Sequence, residues 1–121
     1  MKSKPLQVSA SWRYEESGER QHYLIEIWLG GHRAGRAHGW FERRGPFVLE
    51  KIELERAQRS KGYGSAVIEQ LRAKAREKEC PEFIIRGARA NNLRAIKLYE
   101  SLGARPVETA LRLFDFVISP P

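Results

Sequence analysis

Arg59-Ser60-Lys61-Gly62-Tyr63-Gly64-Ser65 stands between an alternating apolar run, Phe47 to Glu55, and a segment whose apolar residues recur at helical spacing. That change of period predicts a strand feeding a helix through a glycine-rich turn. The first N–H groups of a helix lack partners within it, and the helix dipole puts positive charge at the same end. Such a turn therefore binds anions. Gly62 and Gly64 permit close backbone approach, while Arg59 and Lys61 add charge. Alone, the turn predicts a phosphate site and does not say whose phosphate.

Upstream, Val8 to Tyr14 and His22 to Leu29 read as strands, with Tyr23, Ile25, Ile27 and Leu29 on one face and a turn at Ser17-Gly18 between them. Gly30-Gly31 signals a hairpin into a third strand over Arg33 to Glu42, and Arg43-Arg44-Gly45-Pro46 is a further turn. In the fourth strand, Phe47 to Glu55, alternation predicts Val48, Glu50, Ile52 and Leu54 on one face. Leu49, Lys51, Glu53 and Glu55 fall on the other.

Downstream, Val67, Ile68, Leu71 and Ala75 define a helix from Gly64 to about Lys78, which Pro81 prevents from continuing. Phe83-Ile84-Ile85 is a short buried strand. Asn91 or Asn92 caps a second helix with the apolar stripe Ala95, Ile96, Leu98, Tyr99 and Leu102, and Gly103 ends it. Leu111 to Ile118 reads as the last strand. The predicted order is four strands, helix, strand, helix, strand, within one domain spanning residues 1–121.

The chain of 121 residues carries 22 Lys and Arg against 15 Asp and Glu, a net charge of +7 that favours anionic partners. Apolar residues make up 41%, enough for a packed core and too many for a disordered chain. Met1 to Pro5 leads into a polar strand, without the apolar core of a signal peptide, and no segment reaches membrane-spanning length. The lone Cys80 cannot form an internal disulfide, so a cytoplasmic setting is expected. His22, His32 and His38 lack metal-ligand spacing, and no metal is expected.

Two motifs together give the phosphate an owner. Arg59, Gly62 and Gly64 match Arg/Gln-x-x-Gly-x-Gly/Ala. Asn92, Ala95, Leu98, Tyr99, Glu100, Leu102 and Gly103 match Asn-x-x-Ala-x-x-Leu-Tyr-Glu-x-Leu-Gly. In this order and spacing, from Phe47 to Gly103, the chain resembles the GCN5-related N-acetyltransferase (GNAT) superfamily. The resemblance implies an α/β (α+β) fold with a mixed, mostly antiparallel central sheet and two main helices. It also implies an acyltransferase that uses acetyl-CoA as cosubstrate to acetylate a primary amine.

By the same resemblance, the CoA pyrophosphate would rest on the N–H groups of Ser60, Lys61, Gly62, Tyr63, Gly64 and Ser65, with Arg59 alongside. The pantetheine arm would pair with the fourth strand near Ile52 and Leu54, where that strand parts from Phe83 to Arg86. Asn92 would bond the arm, with Ala95 beside it, and the Tyr99 hydroxyl would face the sulfur. An amine of pKa about 10.4 must lose a proton before attacking the thioester. The family's usual base on the fifth strand corresponds to Gly87, which closes that option. Glu50 on the fourth strand is the candidate base, against the alternative of a surface glutamate.

The chain departs from the family in two places. Glu15 to Gln21 leaves no room for the helices that usually stand between the first two strands and wall the acceptor site, and Ala104 replaces the common phenylalanine after Gly103. The acceptor groove is then either open, suiting a protein or other large amine, or completed by a second subunit in a homodimer. The rival readings are a non-catalytic CoA-binding regulatory or assembly module and a small basic RNA-binding domain. For the latter, Lys61-Gly62-Tyr63-Gly64 copies the start of the RNP1 signature, but Ser65 and Ile68 occupy its base-stacking positions. Neither nucleic acid nor membrane is expected as a partner.

Overall fold

The alternating runs pair with their neighbours in the chain. Strand β1 (Val8–Ser17) lies antiparallel to β2 (Arg20–Leu29), β2 to β3 (His32–Phe41), and β3 to β4 (Phe47–Leu54). Helix α1 (Tyr63–Glu77) carries the chain to β5 (Phe83–Arg89), which runs parallel to β4. Helix α2 (Leu93–Ser101) and the hairpin of β6 (Arg105–Ala110) and β7 (Leu113–Ile118) follow. The result is one mixed, mostly antiparallel sheet of seven strands, in the order β1-β2-β3-β4-β5-β7-β6. This computed structural model describes residues 8–17, 20–55 and 62–121. Ser17 pairs with Arg20, so residues 18 and 19 alone separate β1 from β2 and no helix stands between them.

Both helices pack on one face of the sheet. Val67, Ile68, Leu71 and Ala75 of α1, with Tyr99 of α2, join Tyr23, Ile25, Ile27, Phe47, Leu49, Phe83 and Phe116 in one buried cluster. Two successive crossovers, β4 to β5 and β5 to β6, put the helices on the same side, as right-handed connections between parallel strands require. A band of rings runs across the sheet within this cluster: Trp12 on Tyr23 (5.4 Å), Tyr23 on Phe47 (5.1 Å), and Phe47 on Phe83 (5.6 Å). The Phe47–Phe83 contact fastens β4 to β5 at their lower ends. The other face, with Leu24, His38, Trp40, Glu50 and Arg86, has neither helix over it.

Two expectations need correction. The strict alternation expected along β4 is broken by a bulge: Gly39 pairs with Leu49 and His38 with Lys51, leaving Glu50 with no residue opposite. The core face is therefore Phe47 and Leu49 before the bulge and Ile52 and Leu54 after it. Val48 and Glu50, expected beside Ile52 and Leu54, point to the opposite face. The bulge adjoins a close approach at Gly39, where a Cβ would collide with the Val48 carbonyl and stand 2.6 Å from the Tyr23 hydroxyl.

The second correction is an extra strand. Arg105 to Ala110 forms β6, so the sheet has seven strands and not six. Every β6 residue is exposed, and Pro106 stands among them. An edge strand with no buried face shows no period-two pattern, and proline is tolerated only at such an edge.

Candidate active site

The pairing of β4 with β5 consists of three residue pairs, Phe47 with Phe83, Val48 with Ile84, and Leu49 with Ile85. Past Leu49 the ladder has no further pair. β4 bends at its bulge, and β5 is irregular between Ile85 and Ala88, where Gly87 has φ +75°. The strands thus form a wedge, closed below by stacked phenylalanines and open above.

Two cavities occupy this opening and the groove beside it. The larger, about 740 Å³, is lined by Ile52, Glu53 and Leu54 of β4, Gly62, Gly64 and Ser65 at the start of α1, and Asn92, Arg94, Ala95 and Tyr99 by α2. The smaller, about 150 Å³, lies in the wedge and is lined by Glu50, Lys51, Arg86 and Gly87 as well as Asn92, Ala95 and Tyr99. Ile52, Asn92, Ala95 and Tyr99 border both, so the two are adjoining parts of one cleft.

Helix α1 starts on Gly62 in a left-handed conformation (φ +82°), with no side-chain cap and no acidic residue in its first turn. Its first N–H groups and its dipole are therefore left to an anion in the cleft. Helix α2 is capped, the Asn92 side-chain oxygen accepting from the Ala95 N–H at 3.3 Å. That bond leaves the Asn92 side-chain NH₂ as a donor at the cavity wall. Tyr99 is buried against Phe116, their ring centroids 5.3 Å apart, and burial pushes its phenol above the ordinary tyrosine value. Among the described residues, no protein group is hydrogen-bonded to its hydroxyl.

Glu50 sits in the smaller cavity only. Its Oε1 accepts from the Trp40 indole N–H at 2.9 Å and from the Arg86 guanidinium at 3.1 Å. The Arg20 guanidinium lies 3.8 Å over the Trp40 ring. At Gly87, the backbone N–H donates to Asp115 at 3.1 Å.

The structure thus brings Ile52, Leu54, Gly62, Gly64, Ser65, Asn92, Ala95 and Tyr99 to one cleft, with Glu50 at its far mouth. Tyr63 opens α1 without lining either cavity, and Arg59, Ser60 and Lys61 lie outside the described residues. Sequence reasoning missed Arg94, although it lies within the second motif, and Arg86 and Lys51, whose neighbours in the chain give no signal. The RNP1-like start leads into α1 rather than a strand, and Ile68 is fully buried. No helix among the described residues is long and apolar enough to cross a membrane. No group of His, Cys, Asp or Glu among them could hold a metal ion.

The sequence matches the model of the Acetyltransferase (GNAT) family over residues 2–104, and the chain belongs to that family. No curated protein matches it. Solved structures share its fold at low identity. A Bacillus subtilis acetyltransferase in complex with CoA is 13% identical with a TM-score of 0.73, over 95% of this chain and 100% of that one. A GNAT family acetyltransferase from Elizabethkingia anophelis with acetyl-CoA bound is also 13% identical, at TM-score 0.69, over 81% of this chain and 76% of its own. An N-acetyltransferase from Thermoplasma acidophilum in complex with coenzyme A is 12% identical, at TM-score 0.72, over 81% of this chain and 60% of its own.

Proposed function

We propose that the chain transfers the acetyl group of acetyl-CoA to a primary amine. The observation that carries this reading is the coincidence of three elements around one cleft. These are the opened β4–β5 wedge, the uncapped start of α1, and the Tyr99 phenol between the two cavities. Structures of the same fold with acetyl-CoA or CoA bound support the choice of cosubstrate.

Acetyl-CoA supplies a thioester already activated toward amines, so the protein's part is positioning and charge. The N–H groups at Gly64 and Ser65, with Arg94 nearby, would hold the pyrophosphate. Strand β4 past its bulge would pair with the pantetheine amides as an added strand. The Asn92 NH₂ would donate to the same arm. Tyr99, kept neutral by burial, would donate a hydrogen bond to the departing thiolate rather than a whole proton. A free thiol has pKa about 8.5, below that of even an unshifted tyrosine. Glu50, approaching from the far side, would hold the incoming amine or take its proton through water.

Calorimetric titration with acetyl-CoA, followed by CoA-release assays over amines, peptides and nucleotides, tests the reading. Saturable binding and amine-dependent thiol release are expected. Binding without release to any acceptor would leave a regulatory CoA-binding module, and no binding would remove CoA altogether.

A further inference from the structure

We infer that the acceptor is an α-amino acid, held as its zwitterion by Glu50 and Arg86; this rests on the acyl-transfer reading above. The two side chains form an ion pair at 3.1 Å and both line the 150 Å³ cavity that Tyr99 also borders. Neither is used up by the pair. Glu50 engages through Oε1 alone, and no described residue is bonded to Oε2 or to the remaining N–H groups of Arg86. Arg86 is half exposed at the mouth, and Glu50 is held still by the Trp40 indole.

An adjacent fixed anion and cation match a ligand with the opposite charges on neighbouring atoms. The α-ammonium and α-carboxylate of an amino acid hang from one carbon and fit this pair head to tail, ammonium on Glu50 and carboxylate on Arg86. A lysine side chain or a polyamine has no carboxylate near its amine and would leave Arg86 unmatched. Lys51 at the same mouth is paired with Glu53 at 3.0 Å, and Arg20, stacked on Trp40, with Glu42 at 3.4 Å, so Arg86 is the cation left to meet the carboxylate. The amino acid's side chain would extend over the sheet face that lacks helices, where its size is little restricted.

The transfer balances simply. The ammonium loses one proton to water, by way of Glu50, and the nitrogen lone pair forms the C–N bond as the C–S bond breaks. The second nitrogen proton goes to the thiolate. N-acetyl amino acid, CoA thiol and one proton result.

The test uses matched pairs with acetyl-CoA: leucine and 3-methylbutylamine, phenylalanine and phenethylamine, histidine and histamine, lysine and cadaverine. The expected result is a kcat/KM preference of roughly tenfold or more for at least one amino acid over its decarboxylated partner. Arg86→Gln should bring that ratio to about one, chiefly through KM, while Arg86→Lys retains most of it. A ratio near one in the native protein, a ratio that survives Arg86→Gln, or acetyl-CoA binding with no amino acid accepted would each overturn the inference. Calorimetry with acetyl-CoA on every variant separates these outcomes from loss of the fold or failure of the acyl-transfer reading.

Discussion

The Trp40 indole N–H donates to Glu50 Oε1 at 2.9 Å, bridging β3 to the one residue of β4 that has no partner across the bulge. The ring is itself pinned by the Arg20 guanidinium at 3.8 Å. Glu50 is thereby aimed at the wedge, with Trp40 as its positioning residue. Trp40→Phe keeps a ring for Arg20 and removes only the donor. A half-buried hydrogen bond to a carboxylate contributes about 1 to 1.5 kcal/mol, so acceptor kcat/KM should fall roughly five- to thirteenfold. Acetyl-CoA affinity should stay as it was. Steady-state kinetics with calorimetry checks this, and an equal loss of acetyl-CoA affinity would place the damage in the cofactor groove instead.

Tyr99→Phe should slow turnover by about ten- to a thousandfold without abolishing it, because the group donates a hydrogen bond rather than the reaction's only proton. Burial raises the Tyr99 pKa, so the phenol stays protonated through the whole neutral range. The native pH profile of kcat/KM should therefore rise with the fraction of unprotonated acceptor amine. It should show no falling limb below about pH 10, the ordinary tyrosine value. A falling limb near pH 8 in the native enzyme, absent from Tyr99→Phe, would contradict this assignment.

Much of this site was legible because its parts are local in sequence. The glycine turn before α1 and the Asn92-to-Gly103 stripe are read from residues a few positions apart, and Asn92 does cap α2 as expected. The bulge was not legible, because it arises between strands. Gly35 and Gly39 on β3 both lie close against β4, yet only at Gly39 does the register shift, and the face of Glu50 depends on that shift. The Glu50–Arg86 pair joins residues 36 apart, which no periodicity reveals. Strand β6 was missed for a different reason: an exposed edge needs no apolar face.

Gly39→Ala should destabilise the fold by about 3 kcal/mol, at the upper end of overpacking costs. The obstacles are a backbone carbonyl and a buried ring, which cannot swing aside. Denaturant unfolding measures the loss. Any folded remainder should also lose acceptor turnover, since the bulge that aims Glu50 faces this residue.

Tyr23 donates from its buried hydroxyl to the Val48 carbonyl at 2.8 Å, and its pKa is raised well above 10, first by burial and then by the Glu50 charge. The folded state thus holds this proton more tightly than the unfolded chain does. The resulting stability is fully present below about pH 10 and is lost as pH rises from there through the folded pKa. Unfolding free energy measured against pH should decline above about pH 10. Tyr23→Phe should show a shallower decline, part of it remaining from Tyr99. At neutral pH the same variant should be about 1 to 3 kcal/mol less stable, because the Val48 carbonyl is left without its donor. An alkaline slope identical in the two proteins would refute the assignment to Tyr23.

Asn92 has two tasks that substitution can separate. Its side-chain oxygen caps α2 through the Ala95 N–H, and its side-chain NH₂ is the donor proposed for the cofactor arm. Asn92→Asp keeps the capping oxygen and adds charge where the helix dipole favours it, so thermal stability should hold or rise slightly. It also replaces a donor with an anion at the cleft wall, and acetyl-CoA affinity should fall roughly tenfold or more. Asn92→Ala removes both functions, costing about 1 kcal/mol of stability along with affinity. Paired thermal melts and acetyl-CoA titrations separate the effects. If Asn92→Asp binds acetyl-CoA as tightly as the native chain, the residue is a helix cap alone and the arm finds its donor elsewhere.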